Sequence, residues 1–163
     1  MATIYASTTD GYVYKYVSDT WANVRDATSG TANSTATRYN TAVKVLHSGG
    51  RGGDTYFVGR SFFAFDTSVI SVTPASATLK LYGYGNGGAD VIAVKATMPD
   101  LSTGIASADF DAITGFSAGN TMSGNVTEYS LEITTWSTSG YNDIALNAAA
   151  LSDMVSGGVF SES

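Results

Sequence analysis

His47 is the one histidine among 163 residues, and there is no cysteine. A cysteine nucleophile, a thiolate zinc site and a disulfide framework are therefore excluded, and a histidine-rich metal centre with them. A Ser-His-Asp site would need His47 oriented by a carboxylate and facing a serine. Nothing in its local sequence supplies that set, and with Val43 and Val45 nearby it reads as an ordinary strand histidine. Asp109 and Asp111 invite comparison with a glycosidase pair, whose carboxylates stand about 5–9.5 Å apart across a sugar. Side chains two apart at a helix start point in different directions, so both read better as anions at a positive helix end. Gly49-Gly-Arg-Gly-Gly-Asp54 lacks the Lys-Ser/Thr ending of a phosphate loop, and no helical pattern follows it. It reads as a mobile turn whose tip, Arg51, could reach a carboxylate on a partner.

Ligand binding has better candidates than catalysis. Trp136 sits in the polar run Thr134-Thr-Trp-Ser-Thr138, where an aromatic ring is available to solvent. With Trp21, Tyr82 and Tyr84 it could stack on the apolar C–H face of a sugar; the competing reading for each is a place in the core. Tyr12, Tyr14 and Tyr16 share one strand face, which either caps a core or forms an interface between subunits. Calcium requires several converging oxygens. Asp10, Asp19, Asp66 and Asp143 are loop-end candidates, but no Asp-x-Asp-x-Asp-Gly loop is present. A structural calcium is the one cofactor kept open, and none is otherwise expected.

These residues must be positioned by strands. Tyr12–Val17 alternates, and Trp21–Val24 reads as its extension or sequel. Asp26–Asn40 is a long polar loop or weak strands, Ala42–Leu46 a short strand and Tyr56–Phe65 a longer one. Ala77, Leu79 and Leu81 point one way and Thr78, Lys80 and Tyr82 the other, the pattern of a sheet with one packed and one wet face. Gly85-Asn-Gly-Gly88 signals a turn, predicting a hairpin of Ala77–Tyr84 with Val91–Ala96, Ile92 and Val94 inward. Ser107–Ile113 reads as one helical turn capped by Ser107. Glu128–Thr134 reads as a strand with Tyr129, Leu131 and Ile133 inward, and Tyr141–Leu146 as another. Asn147 caps a short helix to Val155, and Val159-Phe160 opens a last strand that a neighbouring subunit could complete. Roughly eight short strands separated by turns predict an all-β fold: an antiparallel, jelly-roll-like β-sandwich with one or two short helical turns, in a single domain over 1–163.

Composition narrows the partners. Charged residues are 13% of the chain and the net charge is −6, against about a quarter charged in ordinary domains. Scattered basic residues do not form the patch that nucleic acid requires, and the acidic balance disfavours anionic membranes. No apolar run is long enough to span a bilayer.

Arg60-Ser-Phe-Phe-Ala-Phe-Asp66 followed by Ser76-Ala-Thr-Leu-Lys-Leu-Tyr82 resembles the DNRLRE-type β-sandwich family, which is similar to one group of carbohydrate-binding modules. Gly140-Tyr-Asn-Asp-Ile-Ala-Leu-Asn147 and Ala108-Asp-Phe-Asp111 look like segments of phage virion proteins of this type. The resemblance runs from Arg60 to about Asn147. One departure is Ala64, where the family pattern carries a second arginine. The resemblance implies a wall, adhesion or sugar-binding module, or a phage capsid, neck or tail component. The start at Met1 without a signal-peptide pattern tilts the expectation toward a non-enzymatic virion protein assembled in the host cytoplasm, rather than an extracellular one. Its expected partners are copies of itself, other virion proteins and a host glycan. The alternative expectation is a carbohydrate-binding module of a wall-active or adhesion protein.

Overall fold

Tyrosines at every second position of Gly11–Ser18, with Val13 and Val17 between them, form β1 in the computed structural model, which describes residues 2–34, 43–85, 88, 90–97, 104–113, 115, 126–156 and 159–162. β1 runs antiparallel to the long strand β4 (Thr55–Asp66), with Tyr12 opposite Ser61 and Tyr16 opposite Phe57. β2 (Thr31–Asn33) pairs with the free side of β1, and β3 (Lys44–Ser48) with β4. β7 (Val159–Glu162) pairs antiparallel with residues 63–66 of β4, so the last strand finds a partner within its own chain. The result is a five-stranded antiparallel sheet. A second, two-stranded sheet joins β5 (Thr78–Tyr82) to β6 (Tyr141–Ala145).

The fold is all-β with two short α-helices, α1 (Trp21–Arg25) and α2 (Ala148–Ser156), and one 3-10 turn at Ser107–Asp111. The segment after β1 is helical, not extended. Asp19 accepts from Thr20 N–H and from the Asn23 amide at 2.7 Å each, and Thr20 Oγ1 accepts from Asn23 N–H, which caps a helix start. Ser107 is not the cap of the 3-10 turn. Asp109 reaches back to Ala106 N–H at 2.7 Å and does that work from inside the turn. Asn147 does cap α2, accepting from the Ala149 and Ala150 N–H groups.

The expected hairpin of Ala77–Tyr84 with Val91–Ala96 does not form. β5 takes β6 as its neighbour, and the 91–96 segment makes single bridges from Val91 to Ile133, Val94 to Glu128 and Ala96 to Ile113. The segment is wedged between two cores, which explains its course. Val94 and Ala96 join Val13, Val58, Phe62 and Phe110, while Ala93 joins Tyr129, Ala150 and Met154. The wet face that the alternation predicted is therefore absent, and the segment's neighbours are those that complete the two cores. Residues 128–134 also depart from alternation. Tyr129 and Ser130 are both buried and Leu131 is 86% exposed. Ser130 Oγ accepts from Ala93 N–H at 3.0 Å and donates to the Leu131 carbonyl, so the chain turns there.

Among the described residues, the inner face of the five-stranded sheet is covered by α1, the 3-10 turn and the 91–96 segment. Arg60 projects from that face and is only 7% exposed. Its guanidinium donates to the Phe110 carbonyl and, at 2.7 Å, to the Arg25 carbonyl, and it lies 4.1 Å from the centre of the Phe110 ring. Burial pushes its pKa down to about 10, opposed by the Asp111 and Asp26 carboxylates. Replacing Arg60 by Ala strands two buried carbonyls and leaves a void over Phe110. We expect Arg60→Ala to cost roughly 3–5 kcal/mol in urea denaturation, with Arg60→Lys restoring only part of it.

Asp10 supplies a second constraint. Half-buried, it accepts from Ala64 N–H at 3.0 Å, and desolvation raises its pKa to about 6 against the pull of that hydrogen bond. The folded chain therefore holds a proton that the unfolded chain has lost between about pH 4 and 6. Stability from this group is complete below that window and declines as pH rises through it. Asp10→Asn keeps the acceptor without the charge. It is expected to raise stability at pH 7 by up to about 1 kcal/mol, reduced by solvent screening, and to change nothing at pH 4 in thermal melts.

Candidate functional site

The exposed face of the β5–β6 pair gathers the densest set of ligand-type side chains. The register sets Tyr82 opposite Tyr141 and Lys80 opposite Asp143. Those side chains share one face, while Leu79, Asn142 and Ile144 are buried on the other. Tyr82 and Tyr141 are 61% and 66% exposed and meet edge to face, ring centres 5.3 Å apart. Lys80 Nζ donates to both Asp143 oxygens, at 2.8 and 2.9 Å. Beside them an open cleft of about 470 Å³ is lined by Trp136, Thr135, Tyr141 and Asp143 among others.

Two residues on the buried side of the β5–β6 pair hold the Trp136 loop against it. Gly83 is buried, and a β-carbon there would lie 1.7 Å from the Ser137 carbonyl oxygen and 2.7 Å from Trp136 Nε1. Only glycine lets the 136–137 loop cross the end of β5 so closely. Asn142 then fastens the loop, accepting from Ser137 N–H at 2.7 Å and donating to the Ser137 and Leu81 carbonyls. A half-buried indole, an exposed tyrosine pair and an adjacent ion pair combine flat apolar faces with charged hydrogen-bonding groups. That combination suits a polyhydroxylated ligand.

Of the other expected aromatics, Trp21 belongs to the larger sheet. Tyr84 is 63% exposed, past the end of β5. Trp21 opens α1 and packs on Tyr56 of β4, ring centres 5.8 Å apart. Tyr56 also stacks on His47 at 4.7 Å. Contrary to expectation, a carboxylate does orient the histidine: Asp54 Oδ1 lies 3.1 Å from His47 Nε2, both side chains exposed. No serine completes a triad among the described residues, and Ser18 Oγ donates instead to the Asp54 carbonyl. Arg51 stands exposed in the turn closed by Gly53, whose φ of +106° requires glycine.

The tyrosine stripe is the second exposed aromatic surface. Tyr12 and Tyr14 stack at 5.8 Å, Tyr14 and Phe57 at 5.2 Å with planes 9° apart, and Tyr16 tilts onto Phe57 at 6.1 Å. Lys44 Nζ sits 5.2 Å from the Phe57 ring centre, a cation–π contact. Burial grades along the stripe, from fully buried Ser61 opposite Tyr12 to Tyr16, which is 60% exposed.

The four calcium candidates are each taken up by a different partner: Asp10 by Ala64, Asp19 by Thr20 and Asn23, Asp66 by Ser68, and Asp143 by Lys80. No group of three or more His, Asp or Glu side chains able to hold a metal occurs among the described residues. Asp109 is buried on its own turn while Asp111 faces solvent. Among the described residues no helix is long and apolar enough to cross a membrane.

Compared with known proteins, the chain matches no family model, no curated protein and no solved structure. Sequence reasoning missed Tyr141, Asp143 and Phe57 as members of the exposed aromatic surfaces. Their signal was alternation on β6 and β4, readable only once the strand partners are known.

Proposed function

We propose that the chain is a non-enzymatic structural protein of a phage virion, a head-decoration, neck or tail component that associates with itself and with other virion proteins. The observation that carries this reading is the stacked stripe Tyr12–Tyr14–Phe57–Tyr16 on the outer face of the larger sheet. Tyrosine-rich surfaces favour protein contacts because each ring buries apolar area while its hydroxyl keeps a partner. A chain with only 13% charged residues also has few charges to oppose such contacts. The sequence resemblance to virion proteins points the same way. The reading implies a place in the particle, assembly in the host cytoplasm, and no binding of nucleic acid or membrane. The purified protein should sediment as an oligomer and co-purify with particles, and Tyr14→Ser with Tyr16→Ser should weaken both by tenfold or more. A strictly monomeric species that never accompanies particles would overturn the reading.

The β5–β6 surface favours a second reading, that the domain recognises surface glycans, either from the particle or as a module of a wall-active or adhesion protein. Its support is the cleft lined by Trp136, Tyr141 and Asp143, with Tyr82 edge to face against Tyr141. On a glycan array, Trp136→Ala and Tyr141→Ala should each lower binding at least tenfold while leaving the fold intact by circular dichroism. Binding that survives both substitutions removes this reading and leaves the first untouched.

A further inference from the structure

The cleft beside the β5–β6 pair follows the edge of a strand. Residues 141–144 all line it, although their side chains alternate between the wet and the buried face. A hollow on one face would meet only every second residue. Four in succession place the cleft along an edge of β6, and none of the lining residues belongs to β5, so the edge is the one that β5 leaves free. The facing wall is the 133–137 arm, which carries Thr135 and Trp136.

The hydrogen-bond parity of the pair fixes which backbone groups meet the cleft. Gly83 N–H donates to the Gly140 carbonyl, and Leu146 N–H to the Ala77 carbonyl. Bonding alternates along an antiparallel ladder, so Asn142 and Ile144 also turn their backbone groups toward β5, while Tyr141 and Asp143 turn theirs outward. Among the described residues, nothing bonds to those outward N–H and carbonyl groups.

We propose that this edge binds an uncharged glycan chain laid lengthwise along β6. The inference rests on the glycan reading above and names the class of glycan. A sugar hydroxyl both donates and accepts, so successive hydroxyls can meet the N–H and carbonyl groups in turn. Residues 141–144 extend over about 10 Å, which suits a short run of sugar rings better than one. Trp136 and Tyr141 add flat apolar ring faces. An added peptide strand would draw its affinity from main-chain bonds, and two outward-facing residues supply few.

Charge narrows the class. Glu128, Glu132 and Asp143 are the charged residues between positions 128 and 147, and all are acidic. Lys80, from β5, donates to both oxygens of Asp143, so that carboxylate is already compensated. Among the described residues, no cationic side chain lines the cleft. A uronate, sialate or phosphate group would enter beside carboxylates with no partner of its own, which costs affinity. A cationic sugar would have to compete with Lys80 for Asp143.

A glycan array probed with the intact protein tests this. Neutral oligosaccharides should lead the hits, with acidic glycans and single sugars at background. Asp143→Asn leaves Lys80 without its carboxylate and should raise binding of acidic glycans relative to neutral ones by roughly tenfold. Asp143→Pro removes the same charge and also the outward N–H, at an edge position where proline breaks no ladder bond. Its binding of neutral glycans should fall roughly fivefold or more below that of Asp143→Asn, with both variants folded by circular dichroism. Equal neutral-glycan binding by the two folded variants overturns the backbone contact. If Asp143→Pro does not fold, the wild-type hits and the Asp143→Asn ratio carry the test, and an unchanged ratio overturns the charge argument. Hits led by charged glycans or by single sugars overturn this inference and preserve the glycan reading. An array without hits overturns both.

Discussion

The structure depends on a charge placed where charge is costly. Arg60 points into the inner face of the five-stranded sheet, between α1 and the 3-10 turn, and takes a carbonyl from each. Those two elements are short, five residues apiece, and neither could hold its place by helix propensity alone. Arg60 ties their backbones to β4, and Phe110 closes over the guanidinium. The depressed pKa records what the burial costs. That cost is offset because a planar fork of donors can satisfy two carbonyls at once, which no apolar residue could do. Val24 and Phe110 are fully buried as a consequence, and the rest of that core assembles around them.

Much of the sheet could be read from alternation. β1, β5 and β6 fall within a few residues of their expected spans because each has one packed face and one wetter face, and β4 does so as an apolar run buried on both faces over residues 58–62. The Asn147 cap was equally readable, since its signal is local. The errors cluster where burial is two-sided or where polar side chains act inside the fold. Ile92 and Val94 do face one core together, as their alternation predicts, but Ala93 between them is buried in the other core, so the wet face expected of a hairpin strand is missing. Tyr129-Ser130 fails for another reason: a buried serine hydroxyl satisfies the Ala93 N–H, and Leu131 is turned out to solvent. Periodicity cannot reveal a hydrogen bond to a residue 37 positions away.

The candidate surfaces were half legible. Trp136 stood out by its polar surroundings, and the tyrosine stripe by its period of two. Their partners were hidden in strand pairing. Tyr141 becomes Tyr82's neighbour, and Phe57 becomes Tyr16's, only through registers that link residues 59 and 41 positions apart. The environment of His47 was hidden in the same way, because the Gly-rich turn between it and Asp54 folds the chain back and returns the carboxylate to the imidazole.

A sheet faced with irregular segments leaves different surplus surface from one faced with a second sheet. The inner face of the larger sheet is filled by short helices and single bridges, which are compact and need few exposed charges. Its outer face and its β3 edge are left without such cover at the Tyr16 and Leu46 end. The β5–β6 pair, having only two strands, must bury one face and present the other. Exposed aromatic area therefore follows from the two-strandedness of the β5–β6 pair and from the uncovered Tyr16 end of the larger sheet's outer face. In a chain this poor in charge, such area remains available for association or ligand contact because few charged side chains screen it.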